Sequence, residues 1–530
     1  MTTLTGTGGL IRLILRRDRF ILPLWIVFLT LIPVSYVSSF NALFPTAVSR
    51  QQYADNAGFV TLYGLLSGTS LGEFVTWRVG FVPVMVGLIS ILTVIRHTRV
   101  EEESGRRELL GSTVVGRHAG LAAALATTFG ANLLLGVLLA LGMQSQDLAA
   151  SGSVAIGLEF ALSGWLFAGI GAVAAQLTAS AGTARGIALG TLGAAYALRA
   201  AGDTSAHSGG GLGWLSWLSP IGWTQKIRPY GDNHWSMAVL AVAVTVLLIA
   251  VAIALSARRD VGSGLLPARP GPAAGSPALR TPLALAWRLH RVLLAAWIVA
   301  FALLGVLFGS VAEGVGDMMR DDAAARDFFA RIGGRTGLID SYFVGVLTIV
   351  GLIAAAYAVQ ATLRLRVEET SGRAEPVLAT ATGRLRWATS HLVFALLGPA
   401  AALLAAGLGA GLTYGAAIGD IGHQVVRLMG AALVQLPAVW VLAGIAIALF
   451  GLFPRLSAAA WAGPAICLLL GLVGAAVQLD QWVLDLSPFA HLPSLPGGGL
   501  HVLPLTVLIL IAAALAVAGL SGLRHRDLPA

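Results

Sequence analysis

Two segments of the chain have similar sequences: RVEEESGRRELLGSTVVGR at residues 99–117 and RVEETSGRAEPVLATATGR at residues 366–384. The two stretches align without a gap, and eleven of their nineteen positions are identical. Shared ancestry explains this agreement far better than chance does, and internal self-similarity indicates a duplicated architecture. The sequence therefore predicts two related halves, at residues 1–256 and 283–530.

Composition places both halves in a membrane. Hydrophobic residues make up 57% of the 530 positions and charged residues only 11%, whereas an average soluble domain is about 25% charged. Apolar runs of about 20 residues, the length that crosses a bilayer as a helix, recur along the whole sequence. We predict an all-α polytopic membrane protein with about 12 transmembrane helices, six in each half. The predicted spans are 20–40, 80–96, 119–143, 154–179, 184–200, 237–256, 292–312, 343–363, 388–415, 427–452, 456–477 and 502–522.

Charge predicts the orientation. With a cytoplasmic N-terminus, most of the 34 Lys and Arg residues fall in inner segments, as the positive-inside rule requires. Both termini are therefore expected in the cytoplasm of a bacterial cell, with residues 257–282 as a Pro-rich cytoplasmic linker. The Arg residues flank spans singly or in pairs, which favours lipid headgroups over nucleic acid as their partners.

Each half opens with an amphipathic stretch, at residues 10–20 and 283–292. Arg alternates there with Leu, Ile and Trp, a pattern typical of a helix that lies in the membrane interface. The alternative is that these residues are only the charged flanks of the first span of each half.

The repeated stretch follows the second span of each half, so its carboxylates and Arg side chains lie at the inner membrane surface. Gly105 and Gly372 can break the helix there, and a short second helix would follow. Leu109 and Leu110, or Val377 and Leu378, would give that helix a small apolar face for a pocket on a partner protein. A solvated charged face is the alternative interpretation.

At this point the chain resembles the permeases of ABC-2-type (type V) exporters. The features that carry the resemblance are the six-span module, the amphipathic stretch before it, the Glu-rich Ser-Gly-Arg loop and the Gly/Trp/Pro segment 201–236 before the sixth span. A fused pair of such modules is similar to the actinobacterial polyketide-antibiotic and multidrug exporters. The resemblance implies that the loop is a coupling helix, which docks on an ATPase subunit, and that residues 201–236 cap the exit. The docking residues implied are Glu101, Glu102, Ser104, Gly105, Arg106, Glu108, Glu368, Glu369, Ser371, Gly372, Arg373 and Glu375. The copies differ at Glu103 against Thr370 and at Leu109 against Pro376, so docking strength could differ between the halves.

The chain lacks the residues for ATP chemistry of its own. A Walker A loop needs a Lys after Gly, and the single Lys of this sequence, Lys226, falls in a predicted outer segment. ATP and Mg²⁺ would therefore be held by a separate ATPase subunit, expected as a homodimer because two similar loops are offered. No catalytic constellation or metal-ligand pattern was found, no cofactor is expected on this chain, and Cys467 is interpreted as a packing residue.

These observations predict a transport subunit rather than an enzyme, one that exports a hydrophobic or amphiphilic compound by alternating access. A proton-coupled secondary transporter is the alternative, and it would need ionisable groups within the membrane, for which Glu159, Gln176 and His391 are the candidates. A non-transporting scaffold would not explain the duplicated loops. The candidate pathway residues are Trp77, Phe81, Met85, Glu159, Tyr342, Phe343 and Tyr357.

Overall fold

The protein is built from α-helices in two compact units. The computed structural model describes residues 3–54, 57–111, 113–266, 273–321, 338–477 and 480–527, and no β-strand occurs within these ranges. The two units are Met1–Gly271 and Pro272–Ala530. Their boundary falls within the predicted linker 257–282, of which residues 267–272 lie outside the described ranges.

Unit 1 contains both long membrane helices and short helices that join them. The helices are α1 (Thr7–Arg17), α2 (Ile21–Leu43), α3 (Ala47–Ala54), α4 (Ala57–Tyr63), α5 (Leu71–Arg78), α6 (Val82–His97), α7 (Arg99–Glu103), α8 (Arg106–Gly111), α9 (Ala119–Gln144), α10 (Ala150–Leu177), α11 (Ala181–His207), α12 (Pro220–Gln225) and α13 (Trp235–Ala257), with a 3₁₀ helix at Gly213–Leu218.

Unit 2 follows a similar order. Its helices are α14 (Pro282–Asp321), α15 (Leu338–Thr370), α16 (Ala374–Leu378), α17 (Arg384–Ile418), α18 (Ile421–Leu433), α19 (Leu436–Leu452), α20 (Ala462–Val477), α21 (Gln481–Leu484) and α22 (Val502–His525), with 3₁₀ helices at Pro277–Arg280, Pro454–Trp461 and Pro488–His491.

Ten helical segments of the described chain are long and apolar enough to cross a membrane, which confirms the prediction of an all-α, multi-pass membrane protein. Two of the twelve predicted spans are helical without being among these ten. The span 184–200 is α11, whose apolar character is interrupted by Arg185, Arg199 and Asp203. The span 456–477 begins as a 3₁₀ helix and continues as α20, which has only 16 residues.

The predicted span 427–452 is interrupted between α18 and α19. Pro437 lies at the start of α19. Proline lacks a backbone N–H, and its ring clashes with the carbonyl four residues earlier, so it favours the start of a helix over its interior. The sequence thus explains a break that hydropathy alone did not indicate.

The two amphipathic stretches have different outcomes. In unit 1, α1 is a separate amphipathic helix that ends at Arg17, ahead of α2. In unit 2, residues 283–292 are the first turns of α14 and continue into the membrane span without a break. The separate helix of the first copy is compatible with the interfacial-helix interpretation, whereas the continuous helix of the second copy agrees with the charged-flank interpretation.

Close backbone contacts between small residues hold the long helices together. A Cβ on Gly136 of α9 would lie 2.5 Å from the carbonyl oxygen of Gly157 in α10, and one on Gly157 would lie 2.3 Å from that of Gly136. In unit 2, a Cβ on Gly305 of α14 would lie 2.0 Å from the carbonyl oxygen of Ala406 in α17. Small residues permit such approaches, which favour association of membrane helices through van der Waals packing.

Candidate functional site

The repeated loop of unit 1 lies directly after α6. Helix α7 (Arg99–Glu103) ends in a turn at Ser104 and Gly105, and α8 begins at Arg106. Gly105 has φ +72°, a left-handed conformation in which a Cβ is strained. Gly372, at the same place in the second copy, has φ +70° and precedes α16. Both copies therefore consist of a helix end, a turn and a second, short helix, with glycine at the position where the turn requires a positive φ.

Glu102 is the anchor of the first loop. Its carboxylate receives two hydrogen bonds from Arg259, Nη1 to Oε2 at 2.8 Å and Nη2 to Oε1 at 2.9 Å, and a third from Arg99 at 2.8 Å. Arg99 is fully buried and also donates to the carbonyl oxygens of Ala175 and Ser263. Since the side chains of Glu102 and Arg259 are each only 7% exposed, this cluster fixes α7 to the ends of α10 and α13.

Unit 2 repeats the cluster at a constant spacing of 267 residues. Glu369 accepts a hydrogen bond from Arg526 Nη2 at 3.0 Å and one from Arg366 at 3.4 Å, and Arg526 Nη1 forms an ion pair with its Oε1 at 2.9 Å. Its side chain is 3% exposed. Arg366, Glu369 and Arg526 thus correspond one by one to Arg99, Glu102 and Arg259, and each set lies within its own unit.

A second pair of contacts closes each turn. Glu101 is bonded to Arg106 at 3.3 Å, and Glu368 to Arg373 at 3.0 Å, again at the same spacing. Glu101 also pairs with Arg17 of α1. The loop of unit 1 is therefore tied to the amphipathic helix.

Arg117 and Arg384 complete the parallel between the loops. Arg117 donates to the carbonyl oxygens of Ala257 at 2.9 Å and Arg259 at 3.0 Å, which satisfies acceptors at the end of α13. Arg384 donates to the carbonyl oxygen of Arg526. Each unit thus orders its loop with the same set of Arg and Glu side chains.

Sequence reasoning missed Arg259 and Arg526, which lie 157 residues beyond their Glu partners. A signal was present, because the dipeptide Arg259-Asp260 returns as Arg526-Asp527 at the loop's own spacing. Gln176, considered as an intramembrane polar group, belongs to the same framework, since it accepts a hydrogen bond from Arg259 Nε at 2.8 Å.

Arg107 illustrates how tightly the first loop packs. Its guanidinium donates to the carbonyl oxygen of Arg117 at 2.8 Å. A Cβ on Gly120 would lie 1.7 Å from Arg107 Nη1, so a larger residue there would displace the guanidinium from this position. Burial lowers the pKa of Arg107, against the opposing effect of Glu102.

The remaining loop side chains face outward. In unit 1, Ser104, Arg106, Glu108 and Leu109 are exposed, and in unit 2 the exposed residues are Ser371, Gly372, Arg373, Glu375 and Pro376. Ser104 and Ser371 bond back to carbonyl oxygens of their own turns. Glu108 and Glu375 occupy equivalent positions, and neither carboxylate has a bonding partner in the described part of the chain.

The proposed pathway residues separate into two groups. Trp77 and Glu159 line a cavity of about 460 Å³ in unit 1, at the end opposite the loop. Phe81 packs edge-on against Tyr196, and Met85 packs in the apolar core.

The three candidates of unit 2 are buried packing residues. Phe343 has no exposed surface, Tyr342 donates to the carbonyl oxygen of Phe308 at 2.9 Å, and Tyr357 packs against Gly398. Among the seven candidates, Trp77 and Glu159 are the two that line the cavity described in unit 1.

The segment 201–236 forms one wall of this cavity. Ser219 caps α12 by accepting from Gly222 N and donates to the carbonyl oxygen of Ala195, which fixes α12 on α11. Gln225 donates to the carbonyl oxygen of Gly80 at 2.9 Å, in the break between α5 and α6. Burial lowers the pKa of Lys226, against the effect of Asp203, and its ammonium donates to Ser216 Oγ at 2.7 Å.

His391, the third candidate for an intramembrane ionisable group, bonds to His290 at 3.0 Å. Both rings are buried, and Phe394 stacks on His290. The three candidates for proton coupling thus lie in separate environments: a cavity wall, the loop framework of unit 1 and a histidine pair of unit 2.

Comparison with known proteins agrees with this architecture. Residues 279–524 match the family described as "Multidrug efflux system permease Rv1217c, C-terminal domain". Over 529 residues, the chain is 44% identical to the multidrug efflux system permease protein Rv1217c of Mycobacterium tuberculosis (strain ATCC 25618 / H37Rv). The alignment covers 99% of this chain and 95% of that relative, so the similarity extends over both units.

Proposed function

The chain belongs to the multidrug efflux system permease family, and we propose that it is the membrane-spanning subunit of an ATP-driven exporter of the ABC-2 type. In this proposal, the two units move a hydrophobic or amphiphilic compound out of the cell by alternating access. A separate ATPase subunit, a homodimer, holds ATP and Mg²⁺ and docks on the two loops. The loop end of each unit, with both chain termini, then faces the cytoplasm.

One observation carries the proposal. Most charged residues that are identical between the two loops form ion pairs or hydrogen bonds with other residues of their own unit, as the Glu102 and Glu369 clusters show. Glu108 and Glu375 are identical, exposed and without a bonding partner among the described residues. An acid kept at the same place in two copies, yet unused by the fold, supports a contact with the same kind of partner at each loop.

The framework also changes which residues are candidates for direct docking. Glu102 and Glu369 were implied as docking residues, but their carboxylates are occupied by arginines of their own unit. We assign them a positioning role. Direct contact falls to Arg106, Glu108 and Leu109 in unit 1 and to Arg373, Glu375 and Pro376 in unit 2. A shallow groove of about 640 Å³ beside α16 offers a surface for such contact.

The test uses charge reversal at the exposed acids. The full chain is co-expressed with a candidate P-loop ATPase subunit from the same genome, and the complex is purified through a tag on the permease. Glu108→Lys and Glu375→Lys are each expected to reduce recovery of the ATPase, and the double variant to abolish it. Asp232→Lys is the matched control, because Asp232 is an exposed acid at the opposite end of unit 1. Full recovery with the double variant would refute docking at these loops.

Proton-coupled efflux remains the second candidate function, because Glu159 is buried and its Oε2 has no partner within the described ranges. An intramembrane carboxylate of this kind is a functional candidate. Proteoliposomes distinguish the two mechanisms: ATP should drive transport without an imposed pH gradient in the first, and a pH gradient alone should suffice in the second.

A further inference from the structure

The cavity of unit 1 carries chemistry that the loops do not explain. It is lined by residues of α4, α5, α10, α11, the segment 201–236 and the start of α13, so it lies at the end of the unit opposite the loop. Its volume of about 460 Å³ is within the range of roughly 300 to 1,000 Å³ that is usual for pockets that hold drug-sized molecules. The question is which class of molecule its walls would select.

Glu159 is a carboxyl group of the wall that the described part of the chain leaves unpartnered. Glu159 lies six residues after Ser153 in α10, and its side chain is 2% exposed. No hydrogen bond or ion pair to it occurs within the described ranges. Burying an unpaired carboxylate is costly. A cationic ligand would offset that cost by providing the missing partner.

The other charged side chains of the wall already have partners or face solvent. Asp203 lies 3.9 Å from Arg199, and Lys226 donates to Ser216 and lies over the ring of Trp217. Arg228 is exposed. The acidic group that faces the cavity without a partner among the described residues is therefore Glu159.

The aromatic part of the wall is rigid. The indole of Trp77 is 4% exposed, and its Nε1 donates to the carbonyl oxygen of Gly64 at 2.7 Å, which fixes the ring. Tyr63 packs edge-on against Trp77. Arg78 lies over the Tyr63 ring at 4.4 Å and Phe74 stacks on Trp77, so the two rings offer the cavity fixed apolar contacts.

Gly80 allows backbone segments in the wall of the cavity to approach one another closely. A Cβ on Gly80 would lie 2.4 Å from the carbonyl oxygen of Tyr63 and 3.0 Å from that of Trp77. The break between α5 and α6 at this glycine brings Trp77 to the cavity. The position of Trp77 in the cavity wall is therefore set by the backbone conformation at Gly80.

From the unpartnered carboxylate beside fixed aromatic rings, we infer that this cavity is a binding site for lipophilic organic cations. This inference rests on the proposed export function and names the substrate class for it. Glu159 pairs with the positive charge, while Trp77 and Tyr63 contact the apolar body of the ligand.

Binding to the purified full chain, without the ATPase, tests the site separately from docking. The probes are tetraphenylphosphonium and tetraphenylborate, which have nearly the same size and shape and opposite charge. Equilibrium dialysis in detergent is expected to show one saturable site per chain for tetraphenylphosphonium and none for tetraphenylborate. Equal binding of the two ions would overturn the inference, and that comparison requires no variant.

Glu159→Gln keeps the size of the side chain and removes its charge. It is expected to weaken tetraphenylphosphonium binding at least tenfold, whereas Asp232→Asn, the same charge change at an exposed site outside the wall, changes it less than twofold. Unchanged affinity in Glu159→Gln would also overturn the inference. If that variant does not fold, Glu159→Asp preserves the charge and should retain selectivity for the cation. Failure of these measurements leaves ATPase docking intact, and failure of docking leaves cation binding intact.

Discussion

Replacing Arg259 by Met should release the first loop from unit 1. Arg259 donates two short hydrogen bonds to Glu102 and one to Gln176. Removing one partner of a buried ion pair costs about 3 to 5 kcal/mol, but Glu102 would keep its bond to Arg99. We therefore expect the free energy of local opening to fall by about 2 to 4 kcal/mol, since hydrogen bonds to charged groups contribute roughly 1.5 to 3 kcal/mol each.

Hydrogen–deuterium exchange of the full chain measures this opening directly. At about 1.4 kcal/mol per factor of ten, protection of amides in residues 99–111 should drop roughly 30- to 700-fold. Arg258→Met is the matched control, because Arg258 is adjacent in sequence and exposed, and it should leave the loop unchanged. Unchanged protection in Arg259→Met would refute the idea that this arginine orders the loop.

The equivalent variant in unit 2 provides a second test of the same idea. Arg526→Met should expose residues 366–378 at least as strongly, because the partner left to Glu369 is Arg366 at 3.4 Å, whereas Arg99 is 2.8 Å from Glu102. Arg524→Met is its exposed control. Each variant should act on the loop of its own unit, since each cluster is contained there.

Three further predictions concern packing and pH. Gly152→Ala would bring a Cβ within 2.1 Å of the Tyr230 ring, so it should lower thermal stability by about 1 to 3 kcal/mol, whereas Gly130→Ala, with nothing within 4 Å of its Cβ, should be neutral or stabilising in the same melt. Gly305→Ala should destabilise unit 2 in the same way, because the carbonyl of Ala406 cannot move aside as a side chain can; a normal melt would contradict the close approach. Burial raises the pKa of Tyr230 to about 12, above its usual value near 10. The contribution of the neutral Tyr230 to stability is therefore complete below pH 10 and is lost as the pH rises through 12. Measured by unfolding at a series of pH values, Tyr230→Phe should lose less stability at alkaline pH.

The fold was largely predictable because membrane helices have a strong signal. Long apolar runs specified the spans, and the gapless repeat specified two copies of one loop. Hydropathy did not indicate the break before Pro437, since both α18 and α19 are apolar enough to be counted in one span. Hydropathy also did not predict that α1 is separate from α2 whereas residues 283–292 are continuous with the rest of α14. That difference depends on the local chain geometry around Asp18 and Phe20.

The loop framework was only partly predictable for a different reason. The identity of Glu102 and Glu369 indicated importance but not its cause. Their partners Arg259 and Arg526 are distant in sequence and were passed over as ordinary basic residues after a span. Charged residues at the end of a membrane helix usually serve as interface anchors, so only the tertiary contact distinguishes the structural arginine from its neighbours Arg258 and Arg524.

The pathway residues show where sequence reasoning ends. Aromatic side chains on apolar helices serve equally in a core or in a cavity wall, and Tyr357 and Phe343 proved to be core while Trp77 lines a cavity. Glu159 was the more informative residue, because a carboxylate within a membrane helix needs a partner. The fold provides none among the described residues, so Glu159 is available to pair with a cationic ligand. Tetraphenylphosphonium and tetraphenylborate, which match in size and differ in charge, test for a cationic ligand, because equal binding of the two would rule out Glu159 as the partner of a bound cation.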